Sequence, residues 1–279
     1  MSLSVVALVL GAALMHATWN ALIKSSRNVG LNTALVACTS SIAAALLLPL
    51  VPLPAAASWP YLLASCLVEL LYFRMLALVY RHGDLSYTYP LMRGLAPPLV
   101  AAAGSLVLQD QASPFLWAGV ALISSGVLWI GISRRIGTHA PTRATGLAVA
   151  NACVIAAYTL IDGIGVRHSG NSVSYGLWLF FLIGIPIVPL VLSRHGRSLA
   201  SHLQRDWWRG LSGGLLNIGV YLLVLWAMTQ APIAAVAAVR ETSVIFGALI
   251  GSLLLKEPFG RQRIVGAGLI AMGIALLRG

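Results

Sequence analysis

The chain has 279 residues, of which 59% are hydrophobic and 9% are charged, and its mean hydropathy is +0.89. A soluble domain carries about 25% charged residues, so this composition excludes a soluble globular protein and predicts the lipid bilayer as its solvent. The net charge of +11 is spread over short connectors rather than over one face, which favours a role in membrane topology and argues against nucleic acid as a partner.

Apolar runs of roughly 18–25 residues, separated by Gly, Pro and charged residues, predict an all-α integral membrane protein with ten transmembrane helices. In chain order the predicted helices are 3–24, 30–52, 59–80, 84–108, 114–132, 144–166, 172–192, 208–229, 232–255 and 261–278. The first run lacks a basic start and a small-residue cleavage site, so we interpret it as a retained helix rather than a signal peptide. Continuous apolarity, instead of alternation, favours helices over a β-barrel.

Lysine and arginine are divided unevenly between the two sides of the predicted membrane domain. The odd-numbered connectors join the first helix to the second, the third to the fourth, and so on. They carry Lys24, Arg27, Arg81, Arg134, Arg135, Arg143, Arg194, Arg197, Arg205, Arg209, Lys256, Arg261 and Arg263. The opposite side carries Arg167 and Arg278. The positive-inside rule therefore predicts cytoplasmic odd connectors and both termini outside.

Two parts of the sequence repeat at an offset of 147 residues. The aligned positions are Gly104–Asp110 (GSLVLQD) with Gly251–Glu257 (GSLLLKE), Arg93 with Arg240, Gly119 with Gly266, and Gly126 with Gly273. Each half holds five predicted helices, an odd number, so the halves enter the membrane in opposite senses. This is an inverted repeat, the common architecture of secondary transporters. We predict a first repeat in residues 1–136 and a second in residues 144–279.

Two stretches carry a resemblance to a known family. They are HATWNALIK (His16–Lys24), which closes the first helix, and GSLLLKEPFGRQRIVGAGLIAMGIALL (Gly251–Leu277) near the end. With ten helices in two halves, the chain resembles the EamA-type members of the drug/metabolite transporter superfamily over essentially its whole length. The HATWN pattern also resembles a subgroup associated with phosphonate use.

The resemblance implies an exporter or exchanger of a small metabolite in the bacterial plasma membrane. The substrates of such relatives include amino acids, nucleobases, sugar nucleotides and drugs. Relatives use helices five and ten as a dimer contact, which implies a possible homodimer. They are usually drawn with both termini in the cytoplasm, the reverse of what the charge count predicts here.

Arg93 and Arg240 lie near the centres of the fourth and ninth predicted helices. A guanidinium stays charged, and an ionised side chain at that depth costs roughly 3 kcal/mol or more unless it is paired or hydrated. Two arginines related by the repeat would meet near the pseudo-twofold axis and suit bidentate capture of a carboxylate or phosphonate. The alternative is a structural ion pair of these arginines with a carboxylate. The candidate partners are Glu69, Asp162 and Glu241.

The same three carboxylates are candidates for proton coupling or charge balance, because a carboxyl in an apolar helix can exchange a proton. Glu241 follows Arg240 directly, so on a helix their side chains point about 100° apart. We therefore expect each of the two to find a partner elsewhere. A permanent salt bridge from Glu69 or Glu241 to one of the central arginines is the open alternative.

Polar side chains recur at helical spacing on the first, third, sixth and eighth predicted helices. Together they outline a central cavity, and the resemblance implies that the same helices line it. Besides the two arginines, the predicted substrate-binding residues are His16, Trp19, Asn20, Tyr72, Tyr158, Asn217 and Tyr221. For each residue alone, hydrogen bonding between helices is the competing interpretation.

Prolines and glycines mark positions where helices bend or approach closely. Pro90, Pro97, Pro98 and Pro232 flank the arginines and are candidates for hinges or for packing kinks. The Gly-x6-Gly pairs of helices five and ten permit close approach, either within the protomer or across a homodimer.

Two other functional classes remain alternatives to a transporter. GLSGG (Gly210–Gly214) fits the G-x-S-x-G pattern, so an intramembrane serine protease would use Ser212 with His16, although the strand–turn–helix context is lacking. A non-transporting membrane scaffold is the second alternative. The sequence has no HExxH, nucleotide loop or clustered Cys and His, which predicts no cofactor and no metal. A transporter without an ATP-binding loop is driven by a gradient or by exchange.

Overall fold

The computed structural model describes residues 1–24, 26, 28–107, 113–132, 142–255 and 261–278. Its α-helices are α1 Leu3–Lys24, α2 Val29–Leu47, α3 Trp59–His82, α4 Leu85–Val107, α5 Pro114–Ile132, α6 Thr142–Arg167, α7 Ser172–Gln230, α8 Ile233–Arg240, α9 Ser243–Leu255 and α10 Arg261–Arg278. Two 3-10 turns, Leu48–Leu50 and Ala56–Ser58, lie between α2 and α3. The described part of the chain is all-α, as predicted.

Nine of the described segments are long and apolar enough to span a bilayer: 3–23, 30–50, 56–82, 87–107, 114–131, 142–167, 172–196, 206–230 and 233–250. The tenth, α10, is charged at its two ends by Arg261, Arg263 and Arg278 and packs along α5. This confirms the predicted all-helical membrane fold.

Two helix boundaries differ from the prediction. Residues 193–207, expected as a connector, continue the helix, so that α7 runs from Ser172 to Gln230 and departs from helical geometry at Asp206 (φ −120°, ψ 17°). The charged residues of 193–207 predicted a connector. The stretch contains no proline, however, and its single glycine does not stop the helix. The two spans of α7 still run antiparallel, since the ring of Phe180 lies 5.6 Å from that of Tyr221. The predicted ninth helix is divided into α8 and α9.

Helix packing repeats between the two halves. α1 packs against α8 and α9, and the repeat counterparts of these helices, α6 and α4, also pack against each other. α2 packs against α7, and α5 packs against α10. The N-terminal ammonium donates to the carbonyl of Leu277 at 2.9 Å, which places both termini at one face, as an even number of crossings requires. The repeated GSLVLQD and GSLLLKE stretches run partly outside the described residues, and the boundaries 1–136 and 144–279 remain predictions.

The glycine pairs of α5 and α10 face each other within the protomer. A Cβ at Gly126 would lie 2.7 Å from the carbonyl oxygen of Gly266, and a Cβ at Gly119 would lie 2.9 Å from that of Gly273. Only glycine allows two helix backbones to come this close. Internal packing therefore explains the Gly-x6-Gly pattern, and the homodimer remains a hypothesis without support from it.

The GLSGG stretch also serves helix packing. Gly210, Gly213 and Gly214 lie against side chains of α2, and Thr39 of α2 donates a hydrogen bond to the carbonyl of Gly210 at 2.8 Å. Ser212 donates to the carbonyl of Trp208 in its own helix at 2.6 Å. The pattern that suggested a protease nucleophile is thus a small-residue surface for α2.

The two repeat-related helices that carry the arginines are packed unequally. All eight residues of α8 are buried, whereas Tyr87, Tyr89 and Leu91, in the corresponding start of α4, are partly exposed. The start of α4 lies at the face of the basic connectors, and the start of α8 lies at the opposite face. The start of α8, at the face of the termini, is therefore more tightly packed than the start of α4, at the basic face.

Candidate functional site

The interruption between α8 and α9 places two charged residues at the centre of the bundle. Glu241 N–H donates to the carbonyl of Ala238 at 3.0 Å, and Thr242 N–H donates to that of Val239 at 3.1 Å, so the helix tightens into a 3-10 turn. The Thr242 hydroxyl also donates to the Val239 carbonyl at 2.8 Å. Discontinuous helices of this kind surround the binding sites of many transporters.

Arg93 of α4 forms an ion pair with Glu241, with 2.7 Å between Arg93 Nε and Glu241 Oε2. Arg240 Nε lies 4.0 Å from Glu241 Oε1. Glu241 thus pairs with a residue of another helix, as expected, while the long side chains of Arg240 and Glu241 also turn towards the same centre. Exposure falls to 7% for each arginine and 1% for Glu241. One carboxylate thus lies between two guanidinium groups.

Several donors around this ion pair lack acceptors. Arg93 Nη2, Arg240 Nε and Trp19 Nε1 are buried and make no hydrogen bond to the described residues. Buried N–H groups are nearly always hydrogen-bonded in folded proteins. Free donors on two guanidinium groups are suited to receive an anionic group.

α1 contributes a histidine next to these donors. The His16 ring lies edge-on to Trp19 with 5.2 Å between centroids, and His16 is within electrostatic range of both Arg93 and Arg240. Asn20, predicted to face the substrate with them, is exposed and donates to the His16 carbonyl at 2.8 Å. Asn20 therefore stabilises its own helix in this conformation.

A tyrosine wall lies on the side of α3, α4 and α6. The rings of Tyr72 and Tyr158 are 5.6 Å apart at an angle of 64°, and both lie within electrostatic range of Arg93. Tyr89 and Tyr80 continue the wall along α4 and α3 towards the basic face. Because Tyr80 is 39% exposed, the wall leads from the buried arginines to the surface.

A second polar cluster joins α3, α6 and α7. The Tyr221 hydroxyl lies between Glu69 and Asp162, at 2.9 Å from Glu69 Oε1 and in hydrogen-bonding contact with Asp162 Oδ2. Tyr175 donates to Asp162 Oδ1 at 3.1 Å. Arg240 lies within electrostatic range of both carboxylates, so the two clusters adjoin.

Some predicted binding residues are placed away from the arginines, and some neighbours were missed. Asn217 donates to Ser40 of α2 at 3.3 Å, which is hydrogen bonding between helices. Tyr175 and Tyr89 were not predicted, although Tyr89 lies four residues before Arg93 on α4, a spacing that puts both on one helix face. Tyr221 was predicted as a substrate contact, and the structure places it between two carboxylates.

A cavity of about 520 Å³ opens elsewhere, at the turn between α6 and α7. It is lined by Val166, Arg167, Gly170, Asn171, Ser172, Val173, Trp226 and Thr229. Arg167 donates to the carbonyls of Met228 and Ala231, and so fastens α6 to the end of α7. None of the predicted binding residues lines this cavity.

Comparison with known proteins identifies the family of the chain and a solved structure with the same fold. A model of the EamA-like transporter family matches residues 142–279. One similar solved structure, described only as a crystal structure of a protein, has a TM-score of 0.72 at 13% identity and covers 98% of this chain and 94% of its own. At this identity the likeness establishes the fold alone. No curated protein matches the sequence significantly.

Proposed function

The chain belongs to the EamA-like transporter family of the drug/metabolite transporter superfamily, and we propose that it carries a small anionic or zwitterionic metabolite. In this proposal the anionic group binds between Arg93 and Arg240, and an amino acid or an organophosphonate is the favoured substrate class. The protein is a multi-pass integral membrane protein, and we propose the bacterial plasma membrane as its location.

The unsatisfied donors carry this proposal. Arg93 Nη2 and Arg240 Nε are buried without acceptors, although Glu241 lies between the two side chains. If the arginines only locked helices together, their donors would be expected to be satisfied within the protein. A carboxylate or phosphonate offers two or three oxygens, which matches the geometry of guanidinium donors.

The side chains around the arginines restrict which chemical groups the rest of the substrate can carry. Tyr72, Tyr158 and Trp19 supply aromatic surfaces, and the indole Nε1–H of Trp19 is a further donor without a partner. Such walls favour a compact molecule with a short apolar body. They also accommodate an ammonium group, because aromatic faces attract cations. The proposed substrate class therefore includes zwitterions.

Alternating access is the mechanism that this architecture favours. The two inverted halves carry one central arginine each, and α4 and α8 differ in burial although they are repeat counterparts. Exchanging these two packing arrangements would close the basic face and open the face of the termini. A site between the halves would thereby face each side of the membrane in turn. The sequence-based expectation of an exporter or exchanger is retained within this proposal.

A thermal-shift screen of the purified protein in detergent tests the substrate class. The compounds are L-alanine, L-glutamate, methylphosphonate and 2-aminoethylphosphonate, with tetraphenylphosphonium as a cationic contrast. A ligand at about 100 times its Kd adds about 2.7 kcal/mol to the free energy of unfolding. We expect stabilisation by an anionic or zwitterionic compound, and loss of that stabilisation in Arg93→Gln and Arg240→Gln.

The matched control is Arg74→Gln, because Arg74 is an exposed arginine in the membrane span of α3. It should leave ligand stabilisation unchanged. Stabilisation by the cation alone, or anion stabilisation that survives both central substitutions, would show that the arginines are structural and would overturn the proposal.

A further inference from the structure

The Glu69–Tyr221–Asp162 cluster contains one hydroxyl between two carboxyl groups. Tyr221 Oη is 2.9 Å from Glu69 Oε1 and also contacts Asp162 Oδ2. A hydroxyl has one proton and can donate it to one acceptor in this arrangement. For both contacts to be hydrogen bonds, Glu69 or Asp162 must itself carry a proton.

A buried serine adjoins the same cluster. Ser65 Oγ lies beside the Asp162 carboxyl. It is fully buried and makes no hydrogen bond of acceptable geometry to the described residues. Its hydroxyl is therefore a further polar group of the cluster, next to the carboxyl of Asp162.

The charged and titratable groups facing the cluster come from four helices. They are Cys66 on α3, Tyr158 on α6, Tyr175 on α7 and Arg240 on α8. Arg240 is the one cation among these facing groups, and it also adjoins Glu241. Glu241 is held by Arg93 at 2.7 Å, which assigns it to charge balance rather than to proton exchange.

We propose that Glu69 and Asp162 share an exchangeable proton through Tyr221 and that this site is coupled through Arg240 to the anion-binding site. The inference rests on the proposed function, since it takes Arg240 as a contact of the substrate anion. The proton comes from water on one side of the membrane, binds a carboxylate oxygen and is released to water on the other side. No redox step or further reactant is needed.

The sign of the coupling follows from the position of Arg240. In the empty protein the Arg240 charge favours the ionised forms of Glu69 and Asp162, which it faces. A bound anion offsets that charge and thereby favours protonation of the pair. Anion and proton consequently bind together, and by reciprocity the proton increases the affinity for the anion by the same factor. Proton and anion would then cross in the same direction, and their combined gradients would set the direction of net transport.

Infrared spectroscopy of the ligand-free protein tests the proton site directly. The chain has only seven Asp and Glu residues, so the carbonyl stretch of a protonated carboxyl can be assigned by substitution. We expect a band that shifts in D2O, disappears as the pH rises, and is altered or lost in Glu69→Gln and Asp162→Asn. Asp206→Asn is the control, because Asp206 pairs with Arg209 away from the cluster at 2.6 Å.

Arg240→Gln tests the coupling without any ligand, because removing this charge imitates its neutralisation by an anion. We expect the pH at which the band disappears to rise by about one unit or more. Arg240→Lys, which keeps the charge, should stay close to the wild type, as should Arg74→Gln. Thermal melting of each variant establishes that it is folded.

Two results would overturn the inference. One is a carboxyl band that neither Glu69→Gln nor Asp162→Asn changes, or the absence of any such band at all pH values. The other is a band whose titration is the same in Arg240→Gln and the wild type. Since no substrate is used, these outcomes are separate from a failure of the anion screen.

Discussion

Glu241 Oε2 lies 2.7 Å from Arg93 Nε, and this ion pair joins the first half of the chain to the second. The position that corresponds to Glu241 in the first half, 147 residues earlier, is Gly94. A single carboxylate therefore serves two symmetry-related guanidinium groups. This arrangement makes Glu241 the internal competitor of any anion that binds between the two arginines.

Glu241→Gln should destabilise the empty protein, because it removes the carboxylate that pairs with the buried guanidinium group of Arg93. Breaking a buried ion pair by removing one partner costs about 3–5 kcal/mol. An anion should restore part of this loss, so we expect methylphosphonate at high concentration to raise the melting temperature of the variant more than that of the wild type. An equal shift in both proteins would contradict the competitor role.

The control for this experiment is Asp206→Asn, which also removes a carboxylate from an ion pair with arginine. That pair is more exposed than the central one, and exposed pairs contribute about 1 kcal/mol or less. Its melting temperature should fall little, and the anion should restore nothing.

Trp19→Phe should weaken the binding of whichever anion the screen identifies by about tenfold, which corresponds to ~1.4 kcal/mol. Phenylalanine keeps an aromatic ring beside His16 but removes the indole N–H that has no acceptor. The control is Trp117→Phe on α5, because Trp117 is exposed outside the site. Isothermal titration calorimetry measures both affinities, and equal affinities would remove Trp19 from the binding site.

Gly126→Ala should cost roughly 1–3 kcal/mol of stability, as overpacking of a tight contact does. The added Cβ would lie 2.7 Å from the carbonyl oxygen of Gly266, and two helix backbones cannot move apart without loss of other contacts. Gly268→Ala on α10 is the matched control, because its Cβ would meet nothing within 4 Å. Equal melting temperatures for the two variants would contradict the tight packing of α5 on α10.

The membrane fold and the central arginines could be predicted because both follow from simple physical rules. Charges are rare in apolar helices, so the match of Arg93 with Arg240 at the repeat offset was informative on its own. Asp162 and Tyr221 could be proposed from their spacing on amphipathic stripes. The hydrogen-bond partners of these two residues could not be predicted, because they depend on the relative rotation of helices that are far apart in sequence.

Other structural features have no recognisable signal in the sequence. The turn between α8 and α9 follows a run without glycine or proline, the usual signals of a helix break. Tyr175 lies near the start of α7, and its hydrogen bond to Asp162 arises only from the packing of α6 on α7. Conversely, Asn217 had the spacing of a binding residue but bonds to α2, because polar stripes serve helix packing as well as ligands.

Gly163→Ala should favour opening of the face that carries the termini. Ile233, at the buried start of α8, packs on Gly163 of α6, and a Cβ there would lie 2.5 Å from Ile233 Cδ1. The substitution therefore opposes the packing of α8 in this conformation while leaving the arginines unchanged. In alternating access, destabilising one state increases the population of the other.

The measurement is the labelling of Ala234→Cys by a membrane-impermeant maleimide in sealed vesicles, after replacement of Cys38, Cys66 and Cys153 by alanine. Ala234 is buried, so labelling should be slow with Gly163 and several times faster with Gly163→Ala. Gly146→Ala on the same helix is the control, because its Cβ would meet nothing within 4 Å. Equal labelling rates in all three backgrounds would show that the α6–α8 contact does not gate that face.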